Sequence, residues 1–291
     1  MTILALLFLA LQAPAAGTPA EARSVTVSVT DEKGAPVTGL RTEEVVVLEN
    51  GVARQVSRLE PETRPLTVAV IVDSSEPIGS LYRLSVVDAV ARFVRRLPEG
   101  ARYAVWTTGD RPVKVVDFTD DTARAGAALK RTFPRGGNTL LDALVEASDD
   151  LKKREAERTA MVVVSGNGLG FTSHDRNQVV ERVRESGHTV MVVNFQEGAE
   201  GDPALATRDE MGTVGRADYD FVLGSLADRT GGLRELPLSA MGVDRALEKI
   251  AGALGSQYRI TYGTLPDLKD RKVEVKVARP GVKVSLGGSR S

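Results

Sequence analysis

The 291-residue chain contains no cysteine, only 4% aromatic residues and almost no net charge, with 38 Lys and Arg against 39 Asp and Glu. The missing cysteine excludes thiol catalysis, cysteinyl zinc sites, disulfides and an acylated N-terminal cysteine as a lipid anchor. The scarcity of aromatics leaves little material for stacking bases or sugars. A chain built to coat nucleic acid would carry a strong basic excess, so no nucleic-acid partner is expected. What is present is length and apolar content: 42% hydrophobic residues in a chain this long bury roughly three-quarters of the unfolded surface without a staple. The length suits one large domain, or a medium one with an appendage.

Residues 3–11 are an unbroken apolar run, followed by small residues around Ala13 and Ala15. Such a run is too short to span a bilayer as a helix. Residues 1–16 are therefore expected to be a secretory signal cleaved near Ala15, although no Lys or Arg precedes the run. No later stretch is long and apolar enough for a membrane span, so a periplasmic or secreted protein is expected.

Val25, Val27 and Val29 alternate with Ser and Thr, the period of a half-buried strand. Residues 31–34 read as a turn and residues 45–48 as a second strand. Asn50-Gly51 before Val52 signals a hairpin, because both residues tolerate positive φ. Tyr258, Ile260 and Tyr262 alternate in the same way, as do Val273, Val275 and Val277, then Val282 and Val284. A few strands with one apolar face need a partner layer. Residues 23–62 and 257–287 are thus expected to meet in one small β-sandwich.

Between them, residues 66–256 alternate strands with helices. Residues 67–72, 161–164 and 189–194 are continuous apolar runs, as in strands covered on both faces. Leu81, Leu84, Val87, Val90, Val94 and Leu97 recur at helical spacing, as do Leu140, Leu144, Ala147 and Leu151. Further helices are expected from Ser173 to about Glu185 and over 223–229 and 243–254, and residues 197–219 read as a mobile loop. The expected class is α/β, a Rossmann-like doubly wound, mostly parallel sheet. Ligands of such sheets bind beyond the carboxyl ends of the strands, at a topological switch point. There the sequence places Asp73, Ser74, Ser75, Glu76 and Pro77, then Gly137, Asn138 and Thr139, then Gly166 and Asn167.

The strings VAVIVDSSEPIGS, GGNTLLDAL, MVVVSGNG and LADRTGG, in this order, resemble a von Willebrand factor type A domain. The flanks resemble those of its bacterial secreted, acidobacterial-type relatives, and the resemblance covers nearly the whole mature chain. It implies a metal-ion-dependent adhesion site built from Asp-x-Ser-x-Ser, a loop threonine and a late aspartate. Asp73, Ser75 and Thr139 match three of those positions, implying Mg2+ or another divalent cation. Pro77 stands at the second serine and Gly166 at the late aspartate, with Asn167 beside it, so the shell is incomplete. Glu76 is the one nearby carboxylate available as a substitute.

The same residues have a second reading without metal. Asp73 and Ser75 would satisfy free backbone N–H groups at the turn, and Thr139 with Asp142 has capping-box spacing. The Gly166, Gly168, Gly170 spacing is not that of a dinucleotide loop. Ser173-His174-Asp175 is a helix start rather than a triad. His188 reads as a strand-boundary residue. Asp117, Asp120 and Asp121 suit a helix start, and Arg92, Arg95 and Arg96 a helix end. No catalytic constellation is found, and hydrolysis through Asp73 would lack a base or second carboxylate. The expected function is an exported, non-enzymatic module that binds a protein partner through this loop edge. The alternative is an envelope scaffold that uses the sandwich faces.

Overall fold

A computed structural model describes residues 21–32, 34–166, 170–195, 213–239, 241–264 and 272–287. The expected signal at 1–16, the partner-edge residue Asn167, Gly168 and most of the expected loop at 197–219 lie outside the described residues. The first strands are β1 (Glu21–Asp31), β2 (Val45–Glu49), β3 (Val52–Arg54) and β4 (Val56–Pro61). Asn50 and Gly51 take φ of 51° and 79° and close the β2–β3 hairpin, as their side chains permit.

The central unit opens with β5 (Leu66–Val72), in which every side chain but Thr67 is buried. It continues through α1 (Gly79–Leu81), a π turn at Tyr82–Val86 and α2 (Val87–Arg95). Then come β6 (Arg102–Thr107), β7 (Val113–Thr119), α3 (Ala123–Arg131), α4 (Leu140–Lys152), β8 (Arg158–Ser165) and β9 (Gly170–Phe171). The unit ends with α5 (Arg176–Glu185), β10 (Thr189–Asn194), β11 (Thr213–Val214), α6 (Arg216–Thr230), β12 (Arg234–Glu235) and α7 (Gly242–Gly255). The chain returns to the flank as β13 (Tyr258–Thr264), β14 (Val273–Val277) and β15 (Val282–Leu286).

Two expectations shift. The π turn adds a residue to the helical period, so Leu84 leaves the buried stripe and is 79% exposed, while Tyr82 and Val86 take the core positions. Residues 216–219, expected as loop, form the first turn of α6.

The central sheet has the order β12-β10-β8-β5-β6-β7, parallel except for β7 against β6. One face packs Val68, Val70 and Val72 against Val90, Leu129 and Leu247, that is, against α2, α3 and α7. The other packs Ala69 and Ile71 against Leu144, Val180 and Leu223 of α4, α5 and α6. Three helices on each face make the sheet doubly wound, and each fully buried Val or Leu contributes about 1.5–3 kcal/mol of transfer free energy. Strand order turns back between β5 and β8, so the loops after these two strands meet at the switch point.

The flank strands form two antiparallel sheets, β15-β1-β13-β4 and β14-β2-β3. Val25, Val27, Val45, Val47, Tyr258, Ile260 and Val275 from both sheets form one apolar cluster. The central unit is inserted between β4 and β13, which pair from Pro61 opposite Tyr258. The two crossings thus run side by side, joined by Glu62 N–H donating to Gln257 O at 2.8 Å. Buried Arg158, at the base of β8, donates to Leu254 O, to Gln257 Oε1 at 2.8 Å and to Arg64 O at 3.3 Å. Gln257 Nε2 in turn donates to Ser28 Oγ on β1 at 3.1 Å.

Candidate functional site

Asp73 follows the last residue of β5, and its N–H continues the ladder to Val164 O at 2.8 Å. Its side chain turns into the switch point and is fully buried. Oδ1 accepts from Ser75 N–H at 2.9 Å and Ser75 Oγ at 2.7 Å. Oδ2 accepts from Asn138 Nδ2 at 2.9 Å, Gly166 N–H at 3.0 Å and Ser165 Oγ at 3.1 Å. The single Ser165 hydroxyl proton is shared with Gly166 O at 2.9 Å. A carboxylate offers about four lone-pair sites, and protein donors fill them. Burial pushes the Asp73 carboxyl above its ordinary range, against these hydrogen bonds, which pull it down.

Asn138 is held on every polar atom that matters here. Its Oδ1 accepts from Thr108 Oγ1 at 2.6 Å, and its carbonyl accepts from Phe171 N–H and Tyr219 Oη, each at 3.0 Å. Thr139 Oγ1 donates to Thr108 O at 2.7 Å, and Ser74 Oγ accepts from Gly109 N–H at 2.9 Å. Arg135 N–H donates to Ser74 O and Glu76 N–H to Gly136 O, each at 3.0 Å. Four loops are knitted into one edge by internal bonds.

The structure brings Asp73, Ser75, Asn138 and Gly166 together and corrects several expectations. Thr139 and Asp142 form no capping box. The Thr139 hydroxyl is committed to Thr108, and Asp142 Oδ1 accepts from Ser173 Oγ at 2.7 Å. Ser74, Asn138 and Gly166, expected on the contact edge, are buried as wall residues that no partner reaches while the loops stay knitted. Glu76 and Pro77 are exposed and Gly137 is half-buried. Glu76 is not among the groups around Asp73. The helix expected from Ser173 begins at Arg176, with Asp175 as its cap, accepting from Asn177 and Gln178 N–H. The Ser173 hydroxyl donates to Asp142 rather than to His174, which is no triad geometry. His188 is wholly buried, with Nδ1 2.8 Å from Thr159 Oγ1 and Nε2 3.0 Å from Ser148 O.

The donor set does not fit a hard divalent cation, which takes about six oxygens with lone pairs to spare. Both Asp73 oxygens are filled, the Asn138 amide presents N–H groups, and Thr139 faces Thr108. A late aspartate has no room either. A Cβ on Gly166 would lie 2.5 Å from Ile78 Cγ2 and 3.2 Å from the Phe195 ring. Among the described residues no three His, Cys, Asp or Glu gather as a metal cluster. Sequence reasoning places Ser165 after the strand run but gives it no role, and it misses Thr108, Ile78 and Phe195. Only Ser165 left a signal, a polar residue closing an apolar strand run.

Among the described residues no helix is long and apolar enough to cross a membrane. No curated protein sequence matches the chain. Among solved structures, the vWF domain of the type V pili tip protein Mfa5 from Porphyromonas gingivalis aligns with a TM-score of 0.51 at 13% identity. That alignment covers 65% of this chain and 95% of that one. A von Willebrand factor type A protein from Catenulispora acidiphila aligns at 0.50 and 11% identity over 94% of this chain and 74% of the other. Proximal thread matrix protein 1 from the mussel byssus aligns at 0.50 and 14% identity, over 78% of this chain and half of that protein. At these identities the likeness is one of fold. Residues 68–169 also match the family model of the von Willebrand factor type A domain, a stretch that begins within β5, includes Asp73 and runs past β8. The chain carries a von Willebrand factor type A domain.

Proposed function

We propose that the chain is an exported, non-enzymatic protein-binding module that meets its partner at the loop edge without a divalent cation. The observation that carries this reading is the saturation of Asp73 by Ser75, Asn138, Ser165 and Gly166, which shapes the edge with protein donors alone. The contact would fall on what the edge exposes: Glu76, Pro77, Asp110 and Arg135, the last two paired at 3.1 Å. Export is supported by the apolar run at 3–11 and by a chain that folds without cysteine. A neighbour of the same fold is the vWF domain of a pilus tip protein, which accords with a role outside the cytoplasm.

The test is affinity capture from envelope extract, with the chain bearing Glu76→Arg and Asp110→Arg as control. Capture that persists in chelator and disappears with the double variant is the expected result. Capture lost in chelator alone would replace this reading with a metal-dependent one. Capture indifferent to the edge variant would favour the flank sheets as the contact. Export is checked by the mass of the mature protein recovered outside the cytoplasm.

A further inference from the structure

A second surface lies beside the loop edge, where the π turn meets the segment after α3. Leu84, inside the π turn, is 79% exposed, and Phe133 is 71% exposed. The Arg83 guanidinium stands 5.6 Å from the Phe133 ring centre, tying the two segments together. Asp88, in the helix that follows the π turn, lies 3.9 Å from Lys130, so this stretch of helix borders the end of α3. A π turn interrupts the regular helical ladder and is frequent at functional sites. Here it turns a leucine out of the core and into solvent.

Charge says what would cover this patch. Arg83, Lys130, Arg131 and Arg135 ring it, against Asp88 and Asp110, which are paired with Lys130 and Arg135. With Glu76 on the same edge as Asp110 and Arg135, four cations against three anions leave one positive charge in excess, on a chain whose formal net charge is -1. Arg83 and Arg131 are exposed and form no ion pair among the described residues. Two exposed apolar side chains beside two arginines without an ion pair match an apolar anchor flanked by carboxylates. Nucleic acid would require a continuous basic groove with successive stacking rings, and this patch offers one ring with acids interspersed.

We propose that the Leu84–Phe133 patch binds an acidic protein segment carrying an apolar side chain. The proposal rests on the protein-binding reading above and moves the affinity from the switch point to the flank of the edge. The experiment uses the full chain and three fluorescent peptides: alternating Glu and Leu, the same with Ser for Leu, and the same with Lys for Glu. Single-stranded DNA serves as a further competitor, and fluorescence anisotropy reads the binding. The Glu-Leu peptide should bind saturably and more weakly as salt rises, and both substituted peptides should bind less. Arg83→Glu with Arg131→Glu should weaken it by about tenfold or more, and Leu84→Ser with Phe133→Ser likewise. All four positions are exposed, so circular dichroism should be unchanged. If the serine pair perturbs folding, the charge pair alone decides. Absent binding, equal binding of the Lys peptide, tighter binding of DNA, or indifference to the patch variants overturns the proposal. Glu76→Arg separates the two readings. If it alone abolishes peptide binding, the patch is wrong and the loop edge stands. If the variant still binds the peptide and its envelope capture is undiminished, the loop-edge reading falls alone.

Discussion

The Asn138 amide donates to Asp73 Oδ2 across 2.9 Å inside a pocket closed to solvent on both side chains. A neutral donor therefore stands against the buried carboxylate, and among the described residues no cationic side chain bonds to it. Such a carboxylate persists only because every lone pair is hydrogen-bonded, which makes the donors around it interdependent. Asn138→Asp would place a second carboxylate at that distance. Two such groups cannot both ionise, so unfolding free energy should fall by about 3 kcal/mol at neutral pH and recover as the medium is acidified. Denaturant titrations at two pH values measure this, and an unchanged midpoint would contradict the hydrogen-bond assignment.

Metal titration should leave the protein indifferent. A ligand that binds only the native state raises stability with the logarithm of its concentration, so millimolar Mg2+, Mn2+ or Ca2+ should not move the melting temperature. Restoring the family's ligands through Pro77→Ser and Gly166→Asp should not create a response. The new Cβ meets Ile78 and Phe195 first, costing about 1–3 kcal/mol as an overpacked core. A cation-dependent rise in melting temperature, in either protein, would show that the loops open enough to bind metal.

Glu62 gives the flank junction a pH dependence of known sign. Burial alone would raise its carboxyl, but hydrogen bonds from the Arg64 side chain and backbone, with the charges of Arg64 and Arg158, bring it down to about 2 from the ordinary 4.5. A depressed carboxyl stabilises the fold above its unfolded value and loses that contribution as pH falls from 4.5 towards 2. The loss should be about 2 kcal/mol over that window. Glu62→Gln should be less stable at neutral pH and show a flatter stability profile below pH 4.5. A variant as acid-labile as the parent would assign the transition to other carboxylates.

Much of this architecture is written in short-range pattern. Runs such as residues 67–72 must be strands covered on both faces, and the Leu140, Leu144, Ala147, Leu151 stripe buries as its spacing demands. Asn50-Gly51 specifies its turn because few residues tolerate its dihedrals. Leu84 was illegible, because a π turn is a one-residue change of phase that hydrophobic spacing does not register. The site divides in the same way. Asp73 and Ser75 are readable from their position after a buried strand. The donors that saturate Asp73, and Ile78 opposite Gly166, come from segments up to 93 residues apart, which local pattern does not connect.

The last prediction concerns the double crossing between the flank sheets and the central unit. Arg158 is the side chain that touches both strands of it, through Arg64 O on one side and Leu254 O and Gln257 on the other. Its charge is met by carbonyl and amide oxygens, and burial lowers its pKa from the ordinary guanidinium value. Arg158→Ala would leave these acceptors buried without donors, costing about 3 kcal/mol. It would also free the crossing to bend, because Glu62 N–H to Gln257 O is then the backbone bond that remains between its strands. The absence of cysteine makes this measurable, since Ser57→Cys with Ser80→Cys gives one exposed spin label on β4 and one in α1. The parent should show one narrow distance distribution between the labels. Arg158→Ala should broaden it while helical circular dichroism is retained, and Arg158→Lys should broaden it less. A distribution as narrow as the parent's in the alanine variant would mean that the flank sheets are held in place by apolar packing alone.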